Sequence, residues 1–238
     1  MRKKTLICIP HAGGTAQFFN RWLNVFPQEW KFKPLELGGR GRRQSEPPPV
    51  SIEQCVDDYF EQIKSTIESM DYILWGNSMG AVISYELAQK VKYELGKEPL
   101  CFLATSMRAP HVQKDKTKIF YNLSDDNLLK QLIKMLEPSS YTPEIVLLME
   151  EFLDVIRNDF RIVETFRSDL PSQPLQCPIH VIIGEKDSIN LPGAEMWKYY
   201  TNGKFTLDIV ADGHFFMLNN LKVITKTLIQ EIAHLEES

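Results

Sequence analysis

The stretch ILWGNSMGAV, residues 73 to 82, carries an apolar run into Gly76-Asn77-Ser78-Met79-Gly80 and then resumes as an apolar segment. A G-x-S-x-G pentapeptide alone says little, since chance supplies it in roughly a few per cent of chains this long. Its surroundings decide. A nucleophile elbow needs a strand, a sharp turn and a helix, with glycines that let the backbone approach closely while the serine hydroxyl stands exposed on a strained turn. Here a strand-like Tyr72 to Trp75 precedes, and a helical pattern from Ala81 to about Leu95, closed by Gly96, follows. The competing reading makes Ser78 only the cap of that helix.

Working outward, residues 4 to 9 (KTLICI) and 31 to 37 (KFKPLEL) read as strands on either side of a helical segment holding Phe18, Phe19, Trp22, Leu23 and Phe26. After a Pro-rich joint, Ser51 with Gln54 three residues on has capping-box spacing. Ile52, Cys55, Val56, Tyr59, Phe60, Ile63 and Ile67 then recur at helical period, and Pro99 to Thr105 reads as another strand. This alternation predicts an α/β fold whose central sheet is mostly parallel, with helices on both faces and ligands at the carboxyl ends of the strands. From about Val112 to Leu170 the strand signals stop, and LLKQLIKML and EIVLLMEEFLDVIRNDFRIVETF indicate an inserted helical subdomain. Strands return at Ile179 to Ile183 and Phe205 to Val210, before a closing amphipathic helix with Leu221, Ile224, Leu228, Ile232 and Leu235.

At 238 residues and 43% hydrophobic composition, the chain suits one large domain with an insertion. Its net charge of -4 is small and its basic residues are scattered apart from Arg40, Arg42 and Arg43, which argues against a nucleic-acid partner. The apolar run after the N-terminal Arg2, Lys3 and Lys4 is cut by Pro10 and His11, shorter than a secretory segment needs, and reads as a first strand. No segment approaches the roughly 20 apolar residues of a membrane span. Cys8, Cys55, Cys101 and Cys177 lack paired or metal-ligand spacing, so reduced thiols in a cytoplasmic protein are expected. Nothing in the sequence calls for a metal or organic cofactor.

A serine hydroxyl needs a base within hydrogen-bond reach, and histidine has the suitable proton affinity. Of five histidines, His234 and His111 are expected at the surface and His180 inside a strand. His11 follows the first strand, and His214 lies in the loop Asp212-Gly213-His214-Phe215-Phe216 after the last; position and chain order favour His214. The acid that orients the imidazole should come between serine and histidine in the chain. Gly184-Glu185-Lys186-Asp187 supplies it: Asp187 is chosen, with Glu185 as the alternative, while Asp212 reads as a turn residue. An oxyanion hole needs backbone N–H groups aimed at the developing charge. Met79 should give one, and Ala12 in Pro10-His11-Ala12-Gly13-Gly14 the other, with Gly13 as alternative.

With these residues in place, the chain resembles the type II (external) thioesterases of nonribosomal peptide and polyketide synthesis, an α/β-hydrolase family. The likeness spans nearly the whole chain. It rests on PHAGGTAQFF at 10 to 19, GGRGRR at 38 to 43, GNSMGAVISYELA at 76 to 88, LSDDNLL at 123 to 129, VIRNDFRIVETF at 155 to 166, GEKD at 184 to 187 and GHFFML at 213 to 218. The resemblance implies Ser78 as nucleophile, Asp187 as acid and His214 as base. It further implies a hydrolase core of residues 1–112 and 171–238 interrupted by a helical lid, 113–170, over the acyl site. Two departures stand out: Asn77 where the family usually has His, and Gly38-Gly39-Arg40-Gly41 where it usually has Pro-Gly-Arg-Gly. Both are expected to bear on the shape or electrostatics of the mouth.

The activity implied is hydrolysis of acyl or aminoacyl thioesters on the phosphopantetheine arm of carrier proteins, by a monomer that clears stalled or wrong acyl groups. Arg40, Arg42 and Arg43 either meet an acidic carrier or form structural ion pairs. The competing readings are a carboxylesterase or lipase acting on oxygen esters and a noncatalytic carrier-binding module.

Overall fold

Alternation of side chains along β1 (Lys4–Ile9) sets the layering: Ile7 and Ile9 point into one apolar layer, Leu6 and Cys8 into the other, and all four are fully buried. The computed structural model describes residues 3–112, 119–136 and 142–237. Beside β1 lie β2 (Trp30–Pro34), β3 (Asp71–Asn77), β4 (Phe102–Thr105), β5 (Ile179–Gly184) and β6 (Phe205–Val210). They form one sheet of order β2-β1-β3-β4-β5-β6 in which every pairing is parallel.

Two helices cover the first face. α1 (Ile52–Ser69) presents Ile52, Cys55, Val56, Tyr59, Phe60, Ile63 and Ile67, and Ser51 caps it by accepting from Gln54 N–H. α2 (Met79–Leu95) is buried without a break from Met79 to Tyr85 because it lies between α1 and the sheet, and it ends at Gly96 in the left-handed conformation. On the second face, Phe19 and Trp22 pack on Trp75, and α7 (Leu221–Glu237) adds Ile224, Leu228 and Ile232. Burial of each such side chain contributes about 1.5–3 kcal/mol relative to exposure.

The elements differ from the sequence expectation mainly at their ends. The helical segment after β1 is a 3-10 turn, Ala16–Trp22. β2 stops at Pro34, although Leu35 N–H still donates to Cys8 O at 2.9 Å. β4 begins at Phe102 rather than Pro99, and α2 begins at Met79 rather than Ala81. Between β4 and β5 the chain forms α3 (Asp125–Met135), α4 (Pro143–Glu151) and α5 (Leu153–Thr165), and the short α6 (Leu191–Glu195) follows β5. Leu128 and Leu132 of α3 pack against Ile156 of α5, while Ile162 of α5 reaches the main core. Residues 113–118 and 137–141 of the expected insertion lie outside the described residues.

This order places the site. From β1 the chain moves outward to β2, then crosses back to β3 on the other side of β1, so the carboxyl ends of β1 and β3 flank a topological switch point. Two glycines let the segments close on each other there. A Cβ on Gly80 would fall inside van der Waals contact of Ile9 O and 2.5 Å from Pro10 O, and one on Gly76 would fall 2.5 Å from Ala81 Cα. We expect Gly80→Ala to destabilise the fold by about 1–3 kcal/mol through overpacking against backbone that cannot yield. Gly96→Ala, whose Cβ meets nothing within 4 Å, should cost only the left-handed strain of about 1 kcal/mol. Urea unfolding of both variants checks this; equal losses would contradict the close-approach account.

Candidate active site

Ser78 joins β3 to α2 with φ 54 and ψ -122, a conformation disfavoured for a residue with a Cβ. Its N–H donates to Thr105 O at 2.8 Å, which pins the turn to β4. The residue occupies the N-cap position of α2, yet its side chain makes no capping bond. Its Oγ lies instead 3.2 Å from His214 Nε2. His214 Nδ1 lies 2.9 Å from both carboxylate oxygens of Asp187. An ionised carboxylate only accepts, so Nδ1–H donates to it and Nε2 is left to accept from the serine hydroxyl. Asp187's side chain is fully buried and His214's nearly so.

Local backbone bonding holds the two loops together. Glu185 N–H and Asp212 N–H both donate to Val210 O, and Lys186 N–H donates to Asp212 O. Ile189 N–H donates to Asp187 Oδ1 and fixes the carboxylate. Gly184 is required at this point because a Cβ would strike the Gly213 carbonyl. Glu185, the alternative acid, is exposed and meets the partner loop through its backbone. Asp212 is the turn residue expected: its carboxylate accepts from Gly213 N–H and from the Asn219 and Asn220 side-chain amides.

A cavity of about 210 Å³ lies over this group, lined by Ser78, His214, Ala12, Met79, Phe160 and Val163 among others. Met79 N–H belongs to the first turn of α2 and has no intrahelical acceptor. Gly13 N–H, the alternative to Ala12, is already given to Asp159 Oδ2 at 2.7 Å. A wider cleft of about 460 Å³ adjoins the cavity at His214 and Phe120 and is bordered by Lys134 and Lys186.

The remaining histidines separate clearly. His180 is buried in β5 against Thr206 and Glu231, and His234 is exposed. His111, expected at the surface, is half-buried: its ring stacks on Tyr200 and Nδ1 lies 3.0 Å from the phenol oxygen. His11 lies between the edges of Phe18 and Phe215, with Nδ1 3.5 Å from Asn77 Nδ2. Desolvation first, then the nearby His214 and Arg40, lowers its pKa from 6.5 to about 3.

Two expectations about neighbouring residues need correction. Asn77 does not shape the mouth: it is fully buried and its Oδ1 accepts from Thr105 Oγ1 at 2.9 Å. Gly38 is buried too, under Pro47, whose carbonyl a Cβ would overlap. Of the two readings of the arginine cluster, structural ion pairs account for Arg40, buried against Asp159, and for Arg43, paired with Glu46 and Asp58, leaving Arg42 exposed. Sequence reasoning also missed Ser106, which is fully buried at the end of β4 with φ 54 and donates to His214 O at 2.6 Å. Its only signal was its place one residue beyond a strand end.

An all-parallel sheet with a Gly-x-Ser-x-Gly turn at its switch point defines the class: the protein is an α/β-hydrolase. The thioesterase domain model matches residues 4–232, and the chain belongs to that family. It is a thioester hydrolase. It is 31% identical to the gramicidin S biosynthesis protein GrsT of Aneurinibacillus migulanus, across 90% of this chain and 83% of that protein. The crystal structure of ClbQ from the colibactin NRPS/PKS pathway is 25% identical over 98% of both chains, with a TM-score of 0.89. The type II thioesterase BorB from the borrelidin biosynthetic cluster is 30% identical over 96% of this chain and 92% of that one, with a TM-score of 0.86. Among the described residues no helix is long and apolar enough to cross a membrane.

His11 gives the site a signature in acid. Between about pH 3 and 6.5 the unfolded chain binds a proton on this ring and the folded chain does not, so stability rises with pH through that window and is lost as pH falls through it. Unfolding free energies measured against pH should lose part of this slope in His11→Gln. An NMR titration showing the folded ring protonating near pH 6.5 would contradict the assignment.

Proposed function

We propose that Ser78, His214 and Asp187 are the catalytic triad of this thioester hydrolase, with Ala12 and Met79 as oxyanion donors. Its substrates are acyl or aminoacyl groups on the phosphopantetheine arm of acyl or peptidyl carrier proteins. Its task is to clear stalled or wrong acyl groups during nonribosomal peptide or polyketide synthesis. The observation that carries the reading is the hydrogen-bonded run from Asp187 through His214 to Ser78 beside a cavity also lined by Ala12 and Met79. The pathways printed for GrsT, ClbQ and BorB support the setting.

In this mechanism Ser78 Oγ attacks the thioester carbonyl carbon while its proton passes to His214 Nε2. The Ala12 and Met79 N–H groups stabilise the oxyanion, a contribution of about 3–4 kcal/mol per donor in comparable sites. Collapse breaks the carbon–sulfur bond. A thiol with an ordinary pKa near roughly 8.5 leaves easily, and the proton on His214 goes to it. His214 then takes a proton from water, whose hydroxyl adds to the acyl-Ser78 carbonyl; collapse releases the acid and returns the proton to Ser78. Asp187 keeps the imidazole oriented and stabilises its charged form.

Residues 113–170 act as the lid over the acyl site, set into a core of 1–112 and 171–238; the lining of the cavity by Phe120, Met135, Phe160 and Val163 supports that division. The wider cleft takes the arm, with Lys134 and Lys186 near its phosphate. The enzyme works as a cytoplasmic monomer, and its four buried free cysteines suit a reducing compartment.

Ser78→Ala should lower kcat by about 10⁴-fold or more and abolish labelling by a serine-directed fluorophosphonate. Labelling that persists would remove Ser78 from the nucleophile role. Acyl-carrier thioesters should be preferred over matched small oxygen esters, and a reversed preference would make the enzyme an esterase. In addition, Lys134→Glu and Lys186→Glu should raise KM for a carrier-bound substrate while leaving hydrolysis of a small N-acetylcysteamine thioester unchanged. An equal effect on both substrates would take the arm out of that cleft.

A further inference from the structure

Asp159 lies on α5, far in sequence from the strand-end loops, yet its side chain is fully buried and meets two of them. Arg40, from the Gly38-Gly39-Arg40-Gly41 loop, grips both carboxylate oxygens, with Nη2 2.8 Å from Oδ1 and Nη1 on Oδ2. Oδ2 also accepts from Gly13 N–H at 2.7 Å. That N–H is the one immediately after Ala12. Gly13 itself has φ 75, and Ile156, one turn before Asp159, occupies the space where a Gly13 Cβ would stand. The loop is therefore held by a charge-assisted bond on one atom and by a packed side chain beside it.

Fold stability alone gives a weak account of this pair. Taking two charges out of water costs several kcal/mol each, and well-packed apolar residues of similar volume replace such pairs with little loss. What apolar residues cannot supply is a fixed acceptor for Gly13 N–H. We propose that Asp159, fixed by Arg40, is a positioning residue for the oxyanion loop: by holding Gly13 N–H it orients the preceding Ala12 N–H towards the cavity at Ser78. α5 is then more than a cover, because its place sets the loop on which transition-state stabilisation depends. The inference rests on the reading of Ser78 as nucleophile and Ala12 as oxyanion donor.

The test compares Asp159→Ala, Asp159→Asn and the double variant Asp159→Ala with Arg40→Met, using a butyryl N-acetylcysteamine thioester. Two inhibitors accompany it: a trifluoromethyl ketone that becomes a tetrahedral adduct on Ser78, and an unreactive thioether analogue of the substrate. Asp159→Ala should lower kcat about 10- to 100-fold with KM little changed. It should weaken the ketone by a similar factor while leaving thioether binding unchanged, since only the adduct carries an oxyanion. Asp159→Asn, which keeps an acceptor, should retain more activity. The double variant removes the stranded Arg40 charge and so should recover thermal stability, yet it should remain slow. Recovery of wild-type kcat in the double variant, or equal weakening of ketone and thioether in Asp159→Ala, would overturn the positioning role. A Ser78→Ala control separates the failures: normal turnover in it overturns the nucleophile reading itself, and with it the inference built on that reading.

Discussion

The close approach of Gly80 to the Ile9 and Pro10 carbonyls is the contact on which the remaining architecture turns. It brings the first turn of α2 against the end of β1, and the path from β3 into α2 then forces Ser78 into its strained conformation. The strain is held by neighbours rather than by Ser78's own side chain: the Thr105 carbonyl takes its N–H, and the Ser78 carbonyl takes Ala81 N–H. A side chain at position 76 or 80 would push the start of α2 away from the ends of β3 and β1. The serine, the loop from Pro10 to Gly14 and the cavity between them would then cease to be one site.

The histidine is placed by the same means on neighbouring strands. Ser106, the second non-glycine residue with positive φ among the described residues, stands at the end of β4 and holds the His214 carbonyl. Gly184 at the end of β5 admits the Gly213 carbonyl, and Asp212 ties its loop to Asn219 and Asn220. The imidazole is thus gripped through its backbone from β4, through its loop from β5 and β6, and through its ring by Asp187. Little rotational freedom remains, which suits the proposed proton transfer from Ser78 across 3.2 Å.

Several buried carboxylates stand where backbone groups need a partner. Glu36 accepts from Ala16 N–H and Arg42 N–H, and Glu164 accepts from Phe120 N–H and Tyr121 N–H. Asp159 follows the same pattern with Arg40 added. His11 stays neutral because its aromatic surroundings strip away water and two cationic or cationisable groups stand nearby. The Gly38 to Arg43 loop accordingly turns its arginines mostly inward. Arg40 is paired with Asp159 and Arg43 with Glu46 and Asp58, while Arg42 stays exposed.

The sequence by itself determined the strand and helix order, because period-2 and period-3.6 patterns are local properties of the chain. It also singled out Ser78, Asp187 and His214, since each stands just past a strand and their chain order suits the chemistry. Between Asp187 and its alternative Glu185 the tertiary structure decided, because the turn after β5 buries the Asp187 side chain against the imidazole and leaves Glu185 exposed. It decided likewise that Gly13 N–H is occupied and that Ser106 supports His214, which are contacts across 146 and 108 residues. Such bonds leave no local trace, because an N–H, a hydroxyl or a carboxylate looks the same in sequence whether it faces water or a partner brought to it by the fold.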